Sequence, residues 1–447
     1  MIATTPFYDY ESAVRKEGDK VSVIEHWVIN GEPRFEKWVL FVSCKANQGP
    51  ELISRILPLL RQLGRPYRII KDQVRHFQLN AGIFGITEVG KVISIYALDD
   101  TDLQHLITLL ADLGLYSGPS VYNALQVNPF LFVGKTVEIR DGSGYEYIEF
   151  IEPAIDELRL KNIKIRRNSR KRILGKYYVP VALISKSAKG EVLKAVNMRK
   201  LAFSWCLIKQ GLSHAVDDMH NREMKHRLLW QKEVLEDLRE VLPVPAVLSY
   251  FEEKDAYLVM EFIEGLSLYD KVMQIKRNRS WRALSSTEKV QLIGYLLEVV
   301  RLIKQLHQRG YVHRDITDKN FIVRPDESIC LIDFELSYNI LRHHPDPPFM
   351  LGTHGYAAPE QLRMDKPSVK EDVYSLAALC VFVITSRPPI GIITGDATVN
   401  SARIADMLDE GMLMESIVLC LEADVNNRPD IQCLEEGLVD YMNTIKY

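Results

Sequence analysis

Two polar side chains lie five positions apart between residues 311 and 323, a stretch that joins a long amphipathic pattern to an apolar run. Asp315 supplies a carboxylate, which can accept the proton of an attacking hydroxyl group. Asn320 supplies an amide oxygen, a type of ligand that suits magnesium. His313 and Arg314 come directly before the aspartate. Residues of these types at this spacing have the chemistry of a phosphoryl-transfer site.

Four further features follow this loop in a fixed order. A hydrophobic run ends at Asp333, and residues 352–360 contain the sequence Ala-Pro-Glu. Residues 368–371 read as a capping box that opens a buried helix, predicted over residues 372–385. Arg428 lies near the C-terminus, between an asparagine and a proline. Together with the loop, these features resemble the catalytic half of protein kinases.

The resemblance to protein kinases implies a role for each residue. Asp315 would be the catalytic base, and Asn320 and Asp333 would be the Mg²⁺ ligands. An aspartate in the position of Asp372 steadies the catalytic loop. An arginine in the position of Arg428 pairs with the glutamate of the Ala-Pro-Glu sequence. A kinase fold that has lost its activity is the alternative.

The nucleotide-binding part of the resemblance has fewer of the expected residues. Gly190 is the single glycine in a turn, predicted over residues 185–190, where several glycines usually cover the nucleotide phosphates. Lys209 is the lysine expected to contact those phosphates, and Lys194, one strand earlier, is its rival. At a predicted strand end, Glu261 and Ile263 resemble the hinge whose backbone binds adenine.

Gln231 and Thr317 depart from the usual kinase pattern. Gln231 stands on the helix predicted over residues 222–241, where a glutamate normally pairs with the lysine, and Glu233 would replace it only in another register. Thr317 stands where serine/threonine kinases have a lysine. Lys319 is therefore expected to approach the transferred phosphate, although a solvated loop lysine is the alternative. Thr353 is one of several possible phosphoacceptors in the activation segment, but no arginine cluster awaits a phosphate there.

A second resemblance covers residues 35–145. The order of strands, helices and short motifs there resembles the N-terminal domain of class III lanthipeptide synthetases, which is related to phosphothreonine lyases. The motifs that carry it are Trp38 to Ser43, Pro66-Tyr-Arg68, Leu79 to Gly82, Gly90 to Tyr96, Gly118-Pro119 and Arg140-Asp-Gly142. The resemblance implies a phosphate site formed by Arg68, Lys91 and Arg140.

The acid and base of such a lyase are not at their usual positions. The family has Lys-Leu-His on its first strand, whereas this chain has Val39-Leu40-Phe41. Neither valine nor phenylalanine can exchange a proton. We therefore expect a binding or scaffolding domain. An active lyase that uses Lys71, Arg75 or His76 instead is the alternative.

The two resemblances together predict an α+β protein, with a protein-kinase-like bilobal fold preceded by a small α+β lyase-like domain. The predicted divisions are a lead-in (1–35), the lyase-like domain (36–145), a charged connector (146–173), the kinase N-lobe (174–265) and the kinase C-lobe (266–447).

Composition supports a globular protein and excludes several other classes. The chain has 447 residues, 47% of them hydrophobic, and a formal charge of −3. No signal peptide is evident, and the longest apolar run, residues 376–384, is too short to span a bilayer. Six cysteines without short paired spacing indicate reduced thiols, so we expect a cytoplasmic protein without a membrane partner.

A strongly basic run, residues 161–172, follows an acidic one in the connector. A solvated connector is the simpler interpretation, and contact with an acidic peptide or RNA is the alternative. No aromatic residues interleave the run, so no nucleic-acid partner is expected.

The expected function is transfer of the γ-phosphate of ATP or GTP, with Mg²⁺, to serine or threonine of a ribosomally made precursor peptide. The synthetases carry a cyclase domain after the kinase, and this sequence stops before it. A separate lyase or cyclase is thus an expected partner. Two alternatives remain open: a non-catalytic module that binds nucleotide or leader peptide, and an active kinase-lyase.

Overall fold

The computed structural model describes most of the chain. The described residues are 9–10, 14, 20–23, 25–31, 37–114, 116–140, 146–158, 172–199, 203–350, 352–395, 397–406, 408 and 411–446. The basic run of the connector and the side chain of Arg140 lie outside this description. Two compact units are present: Met1–His226 with Phe251–Leu258, and Arg227–Tyr250 with Val259–Tyr447.

The first unit begins with an eight-stranded antiparallel sheet. Its strands are β1 (Lys20–Val23), β2 (His26–Ile29), β3 (Trp38–Val42), β4 (Tyr67–Ile70), β5 (Ile93–Tyr96), β6 (Leu125–Gln126), β7 (Leu131–Arg140) and β8 (Glu146–Ile151). The strand order is β1-β2-β4-β5-β3-β7-β6, with β8 paired to β7. Successive residues of a strand face opposite sides, so Val39 and Phe41 of central β3 lie on one face and Leu40 and Val42 on the other.

Three helices accompany this sheet. They are α1 (Gly49–Leu63), α2 (Gln73–Asn80) and α3 (Asp100–Ala111). The apolar residues of α1 recur on one face and are buried, and the helix ends at Gly64, which adopts φ 60°. Asp99 caps α3 by accepting a hydrogen bond from the Asp102 backbone N–H at 2.9 Å.

The N-terminal sheet extends beyond the range 36–145 on both sides. Strands β1 and β2 come from the predicted lead-in, and β2 pairs with β4. Strand β8 comes from the acidic half of the predicted connector and pairs with the C-terminal half of β7. Strand β2 pairs with residues about 40 positions further along the chain. Local composition therefore did not reveal that β2 belongs to this sheet.

A second antiparallel sheet completes the first unit. Its strands are β9 (Tyr178–Ser187), β10 (Gly190–Asn197) and β11 (Ser204–Gly211), joined by the adjacent ends of β12 (Val247–Glu252) and β13 (Ala256–Glu261). The strand order is β12-β13-β11-β10-β9. Helix α4 (Met224–Leu238) starts in this unit and continues into the second.

The second unit is mainly helical. Its remaining helices are α5 (Leu268–Lys276), α6 (Ser286–Gln308), α7 (Pro359–Leu362), α8 (Val369–Thr385), α9 (Ala397–Ala405), α10 (Met412–Cys420) and α11 (Ile431–Lys446). Short strands lie between them: β14 (Leu266–Ser267), β15 (Tyr311–Val312), β16 (Phe321–Val323), β17 (Ile329–Leu331) and β18 (Tyr338–Asn339). A capping box formed by Ser285 and Glu288 opens α6. The α+β class is thus confirmed, and no helix in the described ranges is both long and apolar enough to cross a membrane.

Two buried histidines make the N-terminal domain sensitive to acid. Burial lowers the pKa of His76 to about 4, and burial together with the charge of Arg68 lowers the pKa of His26 to about 3. Below pH 6.5 the unfolded chain binds protons that these folded histidines do not bind. Stability should therefore fall as the pH drops, by up to about 1.4 kcal/mol per pH unit for each histidine.

The His76→Gln variant tests this expectation, because it removes one titrating group. Its unfolding free energy should depend less steeply on pH between 6.5 and 4 than that of the wild type, measured by urea denaturation at several pH values. Asp217, whose pKa burial raises to about 6, acts in the opposite direction in both proteins and cancels in the comparison. Equal pH slopes would contradict this account of His76.

Candidate active site

The carboxylate of Asp315 is held by two neighbouring side chains. Thr353 donates its Oγ1 hydrogen to Asp315 Oδ1 at 2.8 Å, and Asn320 donates from Nδ2 to Asp315 Oδ2 at 3.1 Å. Asn320 Nδ2 also donates to the Asp315 backbone carbonyl at 2.7 Å. These bonds fix the orientation of a half-buried carboxylate at the end of β15. Such an acceptor is suited to take a proton from a bound hydroxyl group.

Asp372, fully buried at the start of α8, anchors the catalytic loop. Its two carboxylate oxygens accept the backbone N–H groups of His313 and Arg314, each at 2.8 Å. His307 at the end of α6 contacts the same carboxylate at 2.8 Å. Burial pushes the pKa of Asp372 upward, but His307, His313 and the backbone N–H of Arg314 together lower the pKa below its usual value. The loop-steadying contact expected at Asp372 is therefore present.

The other carboxylate of this turn does not complete the predicted capping box. Ser368 caps α8 by accepting from the Lys370 N–H, but Glu371 forms a buried ion pair with Arg314 Nε at 2.9 Å. Burial raises the pKa of Glu371 to about 7, against the opposing effect of Arg314. Arg314 also donates to the carbonyl of Phe349 at 2.9 Å. The guanidinium of Arg314 thus makes its contacts inside the fold.

The two predicted magnesium ligands suit a hard cation. Asn320 directs its nitrogen at Asp315, so its amide oxygen points away from that carboxylate. Asp333 follows β17 with φ 65°, a backbone conformation that is rare outside glycine. Amide and carboxylate oxygens match the preference of Mg²⁺, which keeps its remaining positions for water and phosphate. Asn320 and Asp333 would hold the ion, and the ion would neutralise phosphate charge.

A buried ion pair joins α7 to the segment before α11. Arg428 Nη2 lies 3.1 Å from Glu360 Oε2, and Arg428 Nη1 contacts the other oxygen, so the pair is bidentate. The guanidinium also donates to the backbone carbonyls of Lys370 and Glu422. Arg428 and Glu360 are 1% and 3% exposed. The pairing expected from the sequence is therefore present.

The hinge segment and Gln231 belong to the second unit. Glu261 ends β13, where its backbone N–H donates to the carbonyl of Ala246 at 2.8 Å. Met260 precedes it and is buried, with Sδ 3.9 Å from Gln231 Nε2. Gln231 itself is 1% exposed, which confirms that the predicted register turns it inward. Adenine binding by the backbone of Glu261 and Ile263 remains a prediction.

Lys209 and Gly190 lie in the first unit. Lys209 pairs with Val192 across β10 and β11, so the two side chains share a face of the sheet. Lys194 lies on the same face and is engaged by the ring of Trp205, with Nζ 4.4 Å from the centroid. The contact with Trp205 accounts for the position of the Lys194 ammonium group without a nucleotide. The role of Lys209 remains a prediction.

The turn predicted over residues 185–190 is shorter in the structure. Strand β9 runs to Ser187, so the turn consists of Ala188 and Lys189. Gly190 adopts φ 146°, and a Cβ atom there would lie 2.2 Å from the Gln210 carbonyl oxygen. This close approach of two strands requires glycine whether or not a nucleotide binds. A phosphate contact by Gly190 therefore remains a prediction.

Lys319 and Thr353 have different surroundings in the structure. Lys319 is exposed, and its Nζ lies 5.6 Å from the centroid of the Tyr269 ring, so its approach to phosphate stays a prediction. Thr353 appeared in the sequence only as a possible phosphoacceptor, yet its hydroxyl donates to the Asp315 carboxylate. A threonine 38 positions downstream gives no local signal of that contact.

The predicted phosphate-binding cations of the N-terminal domain are largely enclosed. Lys91 is 3% exposed and forms an ion pair with Glu88 at 3.3 Å. Its Nζ lies 4.2 Å from the centroid of Phe150 and 5.3 Å from that of Phe41. Burial lowers the pKa of Lys91. Arg68 lies on the same sheet and has Nη2 at 3.5 Å from His26 Nδ1.

The buried aspartate anchor, the oriented Asp315 carboxylate and the bidentate Arg428 pair define the protein-kinase class. A family model described as the protein kinase domain matches residues 189–433, more than half of the chain. The chain therefore belongs to the protein kinase family.

Several curated relatives are serine/threonine protein kinases. Serine/threonine-protein kinase C of Synechocystis is 31% identical over 231 residues, which cover 49% of this chain and 41% of the relative. Kinase B of the same organism is 28% identical over 229 residues, covering 49% and 38%. PknB of Mycobacterium tuberculosis is 27% identical over 169 residues, covering 35% and 25%. The chain thus spans less than half the length of these relatives.

Proposed function

We propose that this chain is a serine/threonine kinase that transfers the γ-phosphate of ATP or GTP to a hydroxyl group of a peptide. The observation that carries the proposal is the Asp315 carboxylate, held by Thr353 and Asn320 on a loop that Asp372 anchors. The relatives named serine/threonine-protein kinases support the same activity.

Each residue of the site has a defined task in this proposal. Asp315 accepts the proton of the attacking serine or threonine hydroxyl. Asn320 and Asp333 hold Mg²⁺, and Lys209 contacts the nucleotide phosphates. Thr353 is exposed at the surface beside Asp315 and keeps one carboxylate oxygen in place.

The substrate is most consistent with a ribosomally made precursor peptide in the cytoplasm. Support comes from the N-terminal domain, whose resemblance is to a domain that acts on phosphorylated peptides. Phe41 and Val39 are fully buried on the face where an acid and a base would be needed. The N-terminal domain therefore has a binding or scaffolding role and does not eliminate phosphate. A separate lyase or cyclase would act later.

A non-catalytic nucleotide- or leader-binding module is the second candidate. It is favoured by the two-residue turn before Gly190, in which Ala188 is only 7% exposed. A buried tip of this kind has less freedom to close over phosphates than a loop with several glycines.

The substrate is tested by incubating the purified chain with Mg-ATP or Mg-GTP and the small peptides encoded beside its gene. Mass spectrometry should find a peptide heavier by one phosphate, and a chelator of Mg²⁺ should abolish the product. A peptide lighter by one water would establish an active lyase. Nucleotide binding without any peptide product would favour the non-catalytic module.

A further inference from the structure

A buried polar contact joins the N-terminal sheet domain to the segment that precedes α4. We call this contact the latch. Lys45, Ala46 and Asn80 form its sheet-domain side, and Asp217 and Glu223 form its kinase side. All five residues belong to the first unit.

Asp217 is the centre of the latch. Its Oδ2 accepts the backbone N–H of Ala46 at 2.8 Å, and its Oδ1 accepts from Asn80 Nδ2 at 3.2 Å. The residue is 6% exposed. Burial raises its pKa to about 6, so the carboxylate is still charged at pH 7 and binds its donors as an anion. A buried charge of this kind is costly unless its partners are present.

Glu223 forms the second half of the latch. It is paired with Lys45 of the sheet domain and is 8% exposed. Glu223 Oε2 also accepts the His214 backbone N–H at 3.0 Å. This bond links the beginning and the end of the segment between β11 and α4. Met224, the next residue, is the first of α4. The ion pair therefore lies directly at the start of that helix.

The backbone between β11 and α4 is strained at the latch. Val216, next to Asp217, has φ 49°, and His214 has φ 62°. A β-branched residue with a positive φ is a rare and strained exception. Such a conformation persists only where the surroundings impose it, and the hydrogen bonds of Asp217 supply that constraint.

The same domain contacts the β9–β10 hairpin at its tip. A Cβ atom on Gly82 would lie 2.5 Å from the Ala188 Cβ, so the two residues are in close contact. Lys186 adds a contact with Tyr122, its Nζ 4.8 Å from the ring centroid. The sheet domain thus contacts both the turn expected to cover phosphates and the segment leading to α4.

We propose that the latch is a positioning device for the nucleotide site, with Asp217 as its principal positioning residue. It fixes the start of α4, the helix that carries the buried Gln231. In the sequence, Gln231 stands where protein kinases carry the charged partner of the nucleotide-binding lysine. The inference rests on the proposed function, because a nucleotide site is needed for the positioning to matter.

The test compares Asp217→Ala, Lys45→Ala and Lys45→Arg with the wild-type chain. Hydrogen exchange over residues 224–238, measured without nucleotide, reports the order of α4. The affinity for a fluorescent ATP analogue with Mg²⁺ reports the site. Arg55→Ala is the control, because Arg55 pairs with Glu51 on the same helix, α1, at an exposed surface.

Asp217→Ala should speed exchange in α4 and weaken nucleotide binding, each by about tenfold, since a buried donor pair is left without its acceptor. Lys45→Ala should change both in the same direction by several-fold, and Lys45→Arg should restore them. Faster exchange confined to residues 212–223, with α4 and nucleotide affinity unchanged, would overturn the proposal. If the wild-type chain bound no nucleotide, the proposed function would fail. In that case, hydrogen exchange in α4 that Asp217→Ala left unchanged would still contradict the proposal for the latch.

Discussion

Replacing Asp315 with asparagine is expected to reduce phosphoryl transfer by about 10²- to 10⁴-fold, the usual loss when a general base is removed. Asparagine has the same shape and accepts the Thr353 hydrogen bond, but its amide cannot take a proton. Nucleotide affinity should change little, because the predicted nucleotide contacts are other residues. Initial rates with Mg-ATP and a serine peptide measure the first quantity, and a fluorescent ATP analogue measures the second.

Asp326→Asn is the matched control for this substitution. Asp326 lies on the turn between β16 and β17 and contacts Ser328 of the same turn. Its replacement should leave the rate within about twofold of wild type, as is usual for surface changes. If Asp315→Asn also kept nearly full activity, Asp315 would not be the base.

Arg428→Ala is expected to lower the free energy of unfolding by about 3–5 kcal/mol, because it leaves the buried Glu360 carboxylate without its cation. The loss also removes donors to the carbonyls of Lys370 and Glu422. A typical domain has only about 5–15 kcal/mol of stability, so much of the variant should be unfolded or insoluble. Urea denaturation of the soluble fraction measures the change.

Two companion variants separate the charge from the packing. The double variant Glu360→Gln with Arg428→Met removes both charges and should recover a large part of the loss. Arg363→Ala breaks an exposed pair with Asp365 near the same helix, α7, and should change stability by less than about 1 kcal/mol. Equal effects of Arg428→Ala and Arg363→Ala would contradict the role of the buried pair.

The catalytic loop was accessible from sequence because its signals are local or fixed in order. Asp315 and Asn320 are five positions apart, so one loop brings them together. Asp372 was assigned because it begins the long apolar stretch of a helix, which the structure buries from Glu371 to Ile384. Spacing in the sequence predicts the structural role of residues within one element. It also does so for residues at the ends of elements that follow each other in a fixed order.

Contacts over longer separations were not accessible in this way. Thr353 reaches Asp315 across 38 positions, and Asp217 reaches Asn80 across 137. Glu371 had the spacing of a capping box, yet its carboxylate pairs with Arg314. A buried cation without a partner is energetically costly, so Glu371 pairs with Arg314. At the start of an isolated helix, the same carboxylate would accept the N-cap backbone N–H instead.

In the N-terminal domain, apolar side chains stand where the resemblance implies an acid and a base. Phe41 stands where the resemblance implies an acid, and its ring packs edge-on against Phe150 at 5.2 Å. The two aromatic rings and Glu88 provide a setting for Lys91 inside the domain. These contacts favour a domain that supports the kinase, which is also what the latch implies.

The most direct test of the central claim is phosphoamino-acid analysis after incubation with γ-labelled ATP and Mg²⁺. The acceptor is a peptide that contains serine, threonine and tyrosine. The account predicts label on serine or threonine with the wild-type chain, and at least about a hundredfold less label with Asp315→Asn in the same time. Label on tyrosine alone, or equal label with both proteins, would contradict a serine/threonine kinase whose base is Asp315.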